Sequence, residues 1–328
     1  MRIGQVLAGV VLLGITAADA GAQAREARPR QTGTFAGRQN RGGPEETERN
    51  TWQLKLPEDG RFSLVNVAGN ILVNGASGDA VVLEAIKRTN GSRDELARVR
   101  VDIFERPGRL DVRTRHLGPD RTAVDYNVSL PAGASVSLRS VSGDMKVVNV
   151  RGIVRAESVS GAVLTSNVPR VEWAKSISGS VEITNTSTDD AELNVASTTG
   201  TVRTFGLKAR RLRLNTVTGD LLLGDITCET LDARSVTGKV EYAGALSKSG
   251  HYEISSHSGP IRLVLSPAIG FDINTESFAG TFHSELPLTV IDQTVRRGVT
   301  RSMRGTFGDG SAILNISTFS GDVVIVKR

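Results

Sequence analysis

Over most of the chain apolar and polar residues alternate singly, and at regular intervals a glycine interrupts the alternation. Before a glycine stand pairs such as Leu193 and Val195, Leu212 and Leu214, Leu231 and Ala233, Tyr252 and Ile254, and Leu314 and Ile316. Two places after one the residue is always apolar: Met145, Val163, Val181, Val202, Leu221, Val240, Ile261, Phe282 and Val323. A period of two marks strands with one buried face; a helix repeats at ~3.6. The apolar positions lie an odd number of steps before the glycine and an even number after it, so the chain turns a corner between them. Glycine has the backbone freedom such a corner needs.

The corner is part of a repeat. The phrase Ser/Thr-apolar-Ser/Thr-Gly-x-apolar recurs, with small departures, around Gly143, Gly161, Gly179, Gly200, Gly219, Gly238, Gly259, Gly280 and Gly321, at steps of 18, 18, 21, 19, 19, 21, 21 and 41. A weaker copy, NVAGNI, surrounds Gly69. Three places before each of the nine glycines stands Ser140, Ser158, Ser176, Ser197, Thr216, Ser235, Ser256, Ser277 or Thr318. About 20 residues is too short for a βαβ unit, which needs ~30, or for a propeller blade of ~40. A pair of repeats per blade stays as the alternative. Leucine-rich repeats have this length, but their Asn/Cys ladder and helical half are absent.

The pattern therefore predicts an all-β chain: a single-stack parallel β-solenoid of about 20 residues per coil over residues 136–328, with coils ~4.8 Å apart. Ten coils make a rod of roughly 45–50 Å. Outward charges fit such stacking. Arg139, Glu157 and Lys175 alternate in sign at one position, and Glu182 and Glu241 precede Arg203 and Arg262 at another. Unlike charges on neighbouring strands attract. Trp173 breaks the register of its coil.

Residues 51–135 are less regular. WQLKL, FSLVNV, NILVNG, DAVVLEAI, RVRVDIF, RLDVRT and AVDYNVSL read as strands, with one helical turn at Arg93–Ala97, and together form an irregular β N-terminal cap. Residues 287–310, ending RRGVTRSMRGTFGDG, read as a long loop inserted in the last coils.

The front of the chain is different. Met1-Arg2, the apolar run from Val6 to Ile15 and the small residues ending Ala22-Gln23-Ala24 have the layout of an export signal, residues 1–24, cut after Ala24. An uncut anchor is the alternative, although the apolar run is short for a span. No cysteine lies near the cut, which argues against a lipoprotein. Residues 25–50 hold six arginines, four acids and hardly any large apolar residue, the composition of a disordered linker.

Composition narrows the picture further. The 328 residues include 35 glycines, two Trp, three Tyr and nine Phe, and the net charge is +5. After the signal no apolar stretch approaches the ~18 residues of a membrane span. A single cysteine, Cys228, excludes an internal disulfide framework and a cysteine-built zinc site, and it suits an exported chain.

The series SVSGDM, SVSGAV, TVTGDL and TFSGDVVIV, the lead-in YNVSLPAGASVSLRSVSGD and the ending GTFGDGSAILNISTFSGDV resemble the bacterial putative-adhesin domain family, over about residues 50–328. That resemblance implies an exported or envelope-attached β-solenoid. It implies no catalytic residue.

Candidate chemistry is sparse. His116, His251, His257 and His283 show no metal-ligand spacing, and no metal or cofactor is expected. His257 holds a place filled by Val, Ile or Phe in most copies and is expected at the corner of its coil; His283 is expected to point outward. Asp144, Asp220 and Asp322 follow their glycines four or more coils apart, too far for paired acid–base work. Gly305, Gly308 and Gly310 lack the strand–helix setting of a phosphate cradle. Cys228 reads as an inert thiol. Arg296, Arg297, Arg301 and Arg304 form the one dense basic cluster, either a solvated loop or a site for an anionic envelope polymer. Nucleic acid is not expected, because aromatic residues do not interleave with the charge.

The function expected is an exported, non-enzymatic structural or interaction module of the bacterial cell envelope, adhesin-like, whose partner is an anionic polymer or a surface protein. An exported carbohydrate-active enzyme and an envelope-stress sensor or scaffold are the alternatives.

Overall fold

The repeats close into a rod because each coil has the same three needs: a buried apolar column, a corner and a partner for its backbone. In a computed structural model, which describes residues 45–118, 121–296 and 299–328, these needs are met by one mostly parallel sheet of 23 strands. Among the described residues no helix is long and apolar enough to cross a membrane. The stretch expected to be an export signal, residues 1–24, and the part of the expected linker up to residue 44 lie outside the described residues.

The body begins with β1 (Glu46–Lys55), β2 (Arg61–Ala68), β3 (Ile71–Ala76) and β4 (Ala80–Thr89). Then come α1 (Arg93–Ala97), β5 (Val99–Arg106), β6 (Arg109–His116) and β7 (Ala123–Pro131). β1 starts inside the stretch expected to be linker. Its polar residues find partners across the antiparallel β4, Glu48 with Lys87 at 2.9 Å and Arg49 with Glu84 at 3.1 Å. Trp52 and Leu54 pack on the core.

The regular coils follow: β8 (Ser135–Ser142), β9 (Met145–Val148), β10 (Val154–Ser160), β11 (Val163–Ser166) and β12 (Val171–Ser178). Longer strands that wrap a corner continue the stack: β13 (Val181–Thr199), β14 (Val202–Thr218), β15 (Leu221–Thr237) and β16 (Val240–Ser258), then β17 (Ile261–Leu265). All pair in parallel. Ser140 faces Ser158, Ser158 faces Ser176, and the line runs on through Ser197, Thr216, Ser235 and Ser256. Val163, Val181, Val202, Leu221 and Val240 are buried at the places that alternation assigns them.

Several glycine corners are held twice. A Cβ on Gly238 would lie 2.1 Å from the carbonyl oxygen of Gly219, and φ there is +139°, so only glycine lets the coils close. Beside it a hydroxyl from the Ser/Thr line donates to the preceding coil's glycine carbonyl: Ser176 to Gly161 at 2.9 Å, Ser197 to Gly179 at 2.8 Å, Thr216 to Gly200 at 3.2 Å. A second corner is turned in the left-handed region by Asn149, Asn167 and Asn185, with φ of 59°, 54° and 50°. Asparagine tolerates that region. Asn167 also donates its amide to Asn149, and Asn149 to Asn74, both at 3.2 Å.

Trp173 breaks register through a bulge. Val154 faces Val171 but Arg155 faces Trp173, leaving Glu172 as the extra residue. The ring is half-buried, with the Arg155 guanidinium 5.1 Å and the Lys175 ammonium 5.8 Å from its centre.

Coil order departs from chain order at both ends. The last elements are β18 (Phe271–Ser277), β19 (Phe282–Ser284), β20 (Thr289–Arg296), β21 (Val299–Phe307), β22 (Ala312–Ser320) and β23 (Val323–Lys327). β22 and β23 pair with β16 and β17 on one flank and with β18 and β19 on the other, so the Gly321 coil lies inside the Gly280 coil. The cause is the segment 287–310. It is not a long loop but an antiparallel hairpin, β20–β21, whose second strand pairs with β18 and returns the chain inward. Met303, buried on the core, anchors it. At the other end β2 and β3 lie between the β8–β9 coil and an outer coil made by β6 and β7.

A candidate binding face along the rod

The phrase that builds the corner also puts an apolar side chain outside it. The Ser/Thr three places before glycine is buried in eight of the nine copies, so the next residue points outward. In spatial order the outward residues are Val67, Val141, Val159, Ile177, Thr198, Val217, Val236, His257, Phe319 and Phe278. Adjacent coils align them through the register of their neighbours. Eight are large exposed apolar side chains, from 40% accessible at Val67 to 65% at Phe278. At one end the rings stack: His257 on Phe319 and Phe319 on Phe278, each with centres 4.9 Å apart and planes within 10°.

Two residues upstream a second outward line runs parallel to the first. It begins Val65, Arg139, Glu157, Lys175 and continues through Ala196, Asn215 and Arg234 to Ser255, Ser317 and Glu276. Between the lines lies a groove floored by the Ser/Thr residues and, at its head, Asn66. The Asn66 amide donates to the Val124 carbonyl at 2.8 Å and to the Gly69 carbonyl at 3.2 Å. The groove opens to about 450 Å³ beside Val141, Val159 and Ile177, and to about 700 Å³ beside the stacked rings.

Part of the charge along the groove is locally compensated. Arg139 pairs with Glu157 at 3.3 Å, and Arg234 with Asp232 at 2.8 Å and Glu253 at 3.1 Å. Of the four arginines singled out in the sequence, Arg301 reaches this face. A bulge in β21 at Arg301 lets its guanidinium donate to the Phe278 carbonyl, at the wide end of the groove. Arg304 is exposed elsewhere, opposite Asn274 on β18 and Asp292 on β20. Arg297 lies outside the described residues, as does the side chain of Arg296.

The Toastrack DUF4097 family model matches residues 123–326. The chain belongs to the Toastrack DUF4097 family. Similar solved structures include a putative adhesin from Bacteroides fragilis, 10% identical, covering 85% of this chain and 97% of that one, with a TM-score of 0.40. A putative lipid binding protein from Parabacteroides distasonis is 10% identical over 85% of this chain and 96% of that one, with a TM-score of 0.36. A putative cell adhesion protein from Clostridium sporogenes is 12% identical over 86% and 100%, with a TM-score of 0.25. Comparison with curated proteins finds no match.

The other candidate residues of this Toastrack chain have structural partners or open surroundings. Asp144 accepts from the Ala162 amide at 2.7 Å and Asp220 from the Lys239 amide at 3.0 Å, so each ties its corner to the next coil. Asp322 does the same for Thr281, whose hydroxyl and amide at 2.6 and 2.9 Å hold its carboxyl below the usual range. Glu241 pairs with Arg262 at 3.4 Å, and Glu182 faces Arg203 in register. Burial pushes the Cys228 thiol up to about 12. His257 belongs to the outward apolar line, and His251 and His283 are exposed. Among the described residues no group of three or more His, Cys, Asp or Glu is placed to hold a metal ion.

The outward apolar line was absent from the residues singled out in the sequence. Its signal was in the repeat phrase: a residue that follows an inward Ser/Thr in a strand faces out, whatever its hydropathy.

Proposed function

We propose that this Toastrack chain is an exported, non-enzymatic interaction module of the cell envelope, and that the outward apolar line with its groove is the face that engages an extended partner. One observation carries the reading. Thr198 occupies the same column, exposed, so the fold accepts a polar residue there, yet eight other coils keep a large apolar one. Contiguous apolar patches beyond a few hundred Å² are uncommon on soluble monomers and mark interaction sites. Export is supported by the layout of residues 1–24 and by the lone cysteine. A non-enzymatic role is supported by the carboxylates, which serve corners and ion pairs.

The test copies the exception. Ile177→Thr, Val217→Thr and Phe319→Thr together should leave the melting temperature nearly unchanged, because these side chains are already half in water. Retention of the protein in an envelope fraction should fall. Full retention by the folded triple variant would reject the face.

A second reading, favoured by the position of Arg301 at the wide end of the groove, gives an anionic envelope polymer a site on Arg296, Arg297, Arg301 and Arg304. Its mark is retention that weakens as salt rises.

A further inference from the structure

We propose that the outer face of the β5–β6 hairpin, with Arg61 of β2 beside it, is a binding site for a phosphate-bearing polymer. Its residues belong neither to the apolar line nor to the arginines of β20–β21, so it stands or falls apart from both.

The hairpin sorts its charges by parity. Along VRVDIFERPGRLDVRTRH, Val99, Val101 and Ile103 on β5, and Leu110 and Val112 on β6, turn toward the core. The residues between them face out, and Arg61 joins that face in register with Arg109. Six arginines result, Arg61, Arg100, Arg106, Arg109, Arg113 and Arg115, against two aspartates, Asp102 and Asp111, in a chain whose 40 cations face 35 acids overall. Glu105 falls on the other side of β5.

The signs run against those of the rest of the rod. Elsewhere facing neighbours pair unlike charges, as Arg139 does with Glu157 and Arg213 with Asp232. Here Arg106 stands opposite Arg109, Arg109 beside Arg61, and Arg100 opposite Arg115. Like charges directly opposite each other destabilise a sheet. The two aspartates are already taken. Asp111 accepts a fork from Arg109, Nε at 2.8 Å and Nη2 at 3.0 Å, and Asp102, in register with Arg113, is held by Arg115. Among the described residues no acid lies within ion-pair distance of Arg61, Arg100, Arg106 or Arg113. A face that keeps like charges together at a cost to stability leaves its guanidinium donors for a ligand.

Spacing and acceptor count name the ligand. Arg61, Arg109 and Arg106 lie on three neighbouring strands ~4.8 Å apart, and Arg113, Arg115 and Arg100 lie about 14–20 Å farther along those strands. A small anion reaches one cluster; a chain with repeated anionic groups reaches both. One guanidinium fork fills a carboxylate, as Arg109 fills Asp111. Guanidiniums gathered in threes call for a group with more acceptor oxygens, and phosphate is such a group. Arginine at all six positions, with no lysine, suits it. A bilayer would ask for apolar side chains to enter beside the charge. Phe104 is the one large apolar side chain on the outer face of the hairpin.

The test is binding of long-chain inorganic polyphosphate to the purified protein over a range of salt, with and without Arg61→Gln, Arg100→Gln, Arg106→Gln and Arg113→Gln together. The wild type should bind. The quadruple variant should bind about a hundredfold more weakly, with the slope of log affinity against log salt reduced by about 3. Because like-charge pairs are relieved, it should melt at or above the wild-type temperature. Replacing Arg296, Arg297, Arg301 and Arg304 by glutamine should leave this binding unchanged; if that variant loses it and the quadruple variant does not, the site is overturned.

The remaining arms decide the ligand. Polyglutamate of equal charge should bind about tenfold more weakly than polyphosphate, and equal affinity overturns the phosphate assignment. Binding to phosphatidylglycerol vesicles without binding to polyphosphate overturns the polymer in favour of a bilayer. No binding of polyphosphate at about 50 mM salt overturns the site itself. Should the quadruple variant fail to fold, phenylglyoxal labelling of the wild type decides: polyphosphate should protect Arg61, Arg100, Arg106 and Arg113, and unchanged labelling of these four overturns the proposal.

Discussion

The glycine corners make a quantitative claim that three alanine substitutions separate. At Gly118 a Cβ meets nothing within 4 Å and φ is not in the left-handed range, so Gly118→Ala should be neutral or stabilise by up to about 1 kcal/mol. At Gly78 the space is equally open but φ is +97°, so Gly78→Ala isolates backbone strain, about 1–3 kcal/mol. At Gly238 φ is +139° and the Cβ would lie 2.1 Å from the Gly219 oxygen, with backbone on both sides of the clash. The coils must part by about 1 Å there. That strains neighbouring contacts between backbone groups, among them Gly238 N–H to Ser258 at 3.1 Å and Gly219 N–H to Thr237 at 2.9 Å, each worth about 0.5–1.5 kcal/mol. Gly238→Ala should therefore cost about 3–5 kcal/mol, a loss of the exceptional class. Urea unfolding followed by circular dichroism reads all three; the G238A transition should also broaden, because a stack held by nearest neighbours splits at its weakest interface. If G238A unfolds together with G78A, close coil contact is not what requires glycine at the corner.

Other expectations concern single columns. Val202→Asp buries a carboxylate without a partner and should cost several kcal/mol, whereas Glu157→Lys loses only the exposed pair with Arg139 and should cost about 1 kcal/mol or less; equal losses in a thermal melt would misplace the inward column. Asp322 is held below its ordinary value near 3.8 by Thr281, so its contribution is present above that value and is lost as pH falls through the lower, folded one. Asp322→Asn should accordingly flatten the acid end of the stability profile and leave the slope above pH 5 unchanged; a changed slope there would implicate other groups. Replacing Arg296, Arg297, Arg301 and Arg304 by glutamine should remove the salt-sensitive part of envelope retention and leave the part that depends on the apolar line. Retention with the same salt dependence as wild type would dismiss the arginine reading.

How much of this was legible in the sequence differs by feature, for physical reasons. The solenoid was legible because Gly, Ser/Thr and the buried apolar residue each recur at fixed offsets, and a stacked coil makes the same demand at the same place. The helical turn at Arg93–Ala97 was legible for a similar local reason and is present as α1. Coil order at the ends was not. A repeat period counts coils but says nothing about which two are neighbours, and Gly280 and Gly321 carry nearly the same phrase. The 287–310 hairpin hid because bulges at Ile291 and Arg301 break its alternation. The outward apolar line hid in plain hydropathy: Val141 and Met145 look alike as apolar letters, and only tracking parity through the inward Ser140 shows that one faces water and the other the core.

The placement of β22–β23 and β2–β3 one level in from the ends bears on how the rod responds to force and to fraying. In a simple stack the outermost coil ends in a loose tail, and peeling proceeds one hydrogen bond at a time. Here the outermost coils, β18–β19 at one end and β6–β7 at the other, are covered by antiparallel strands, β21 on β18, β5 on β6 and β4 on β7, and are tethered on both sides by chain that runs back into the body. When such a coil opens it becomes a loop rather than a tail, and a short loop finds its seat again at little entropic cost. A pull along β23 meets β17 and β19 together, so two rows of bonds must shear at once. An interaction module of the kind proposed would be loaded in this way, and its end strands would carry tension as a lap joint does.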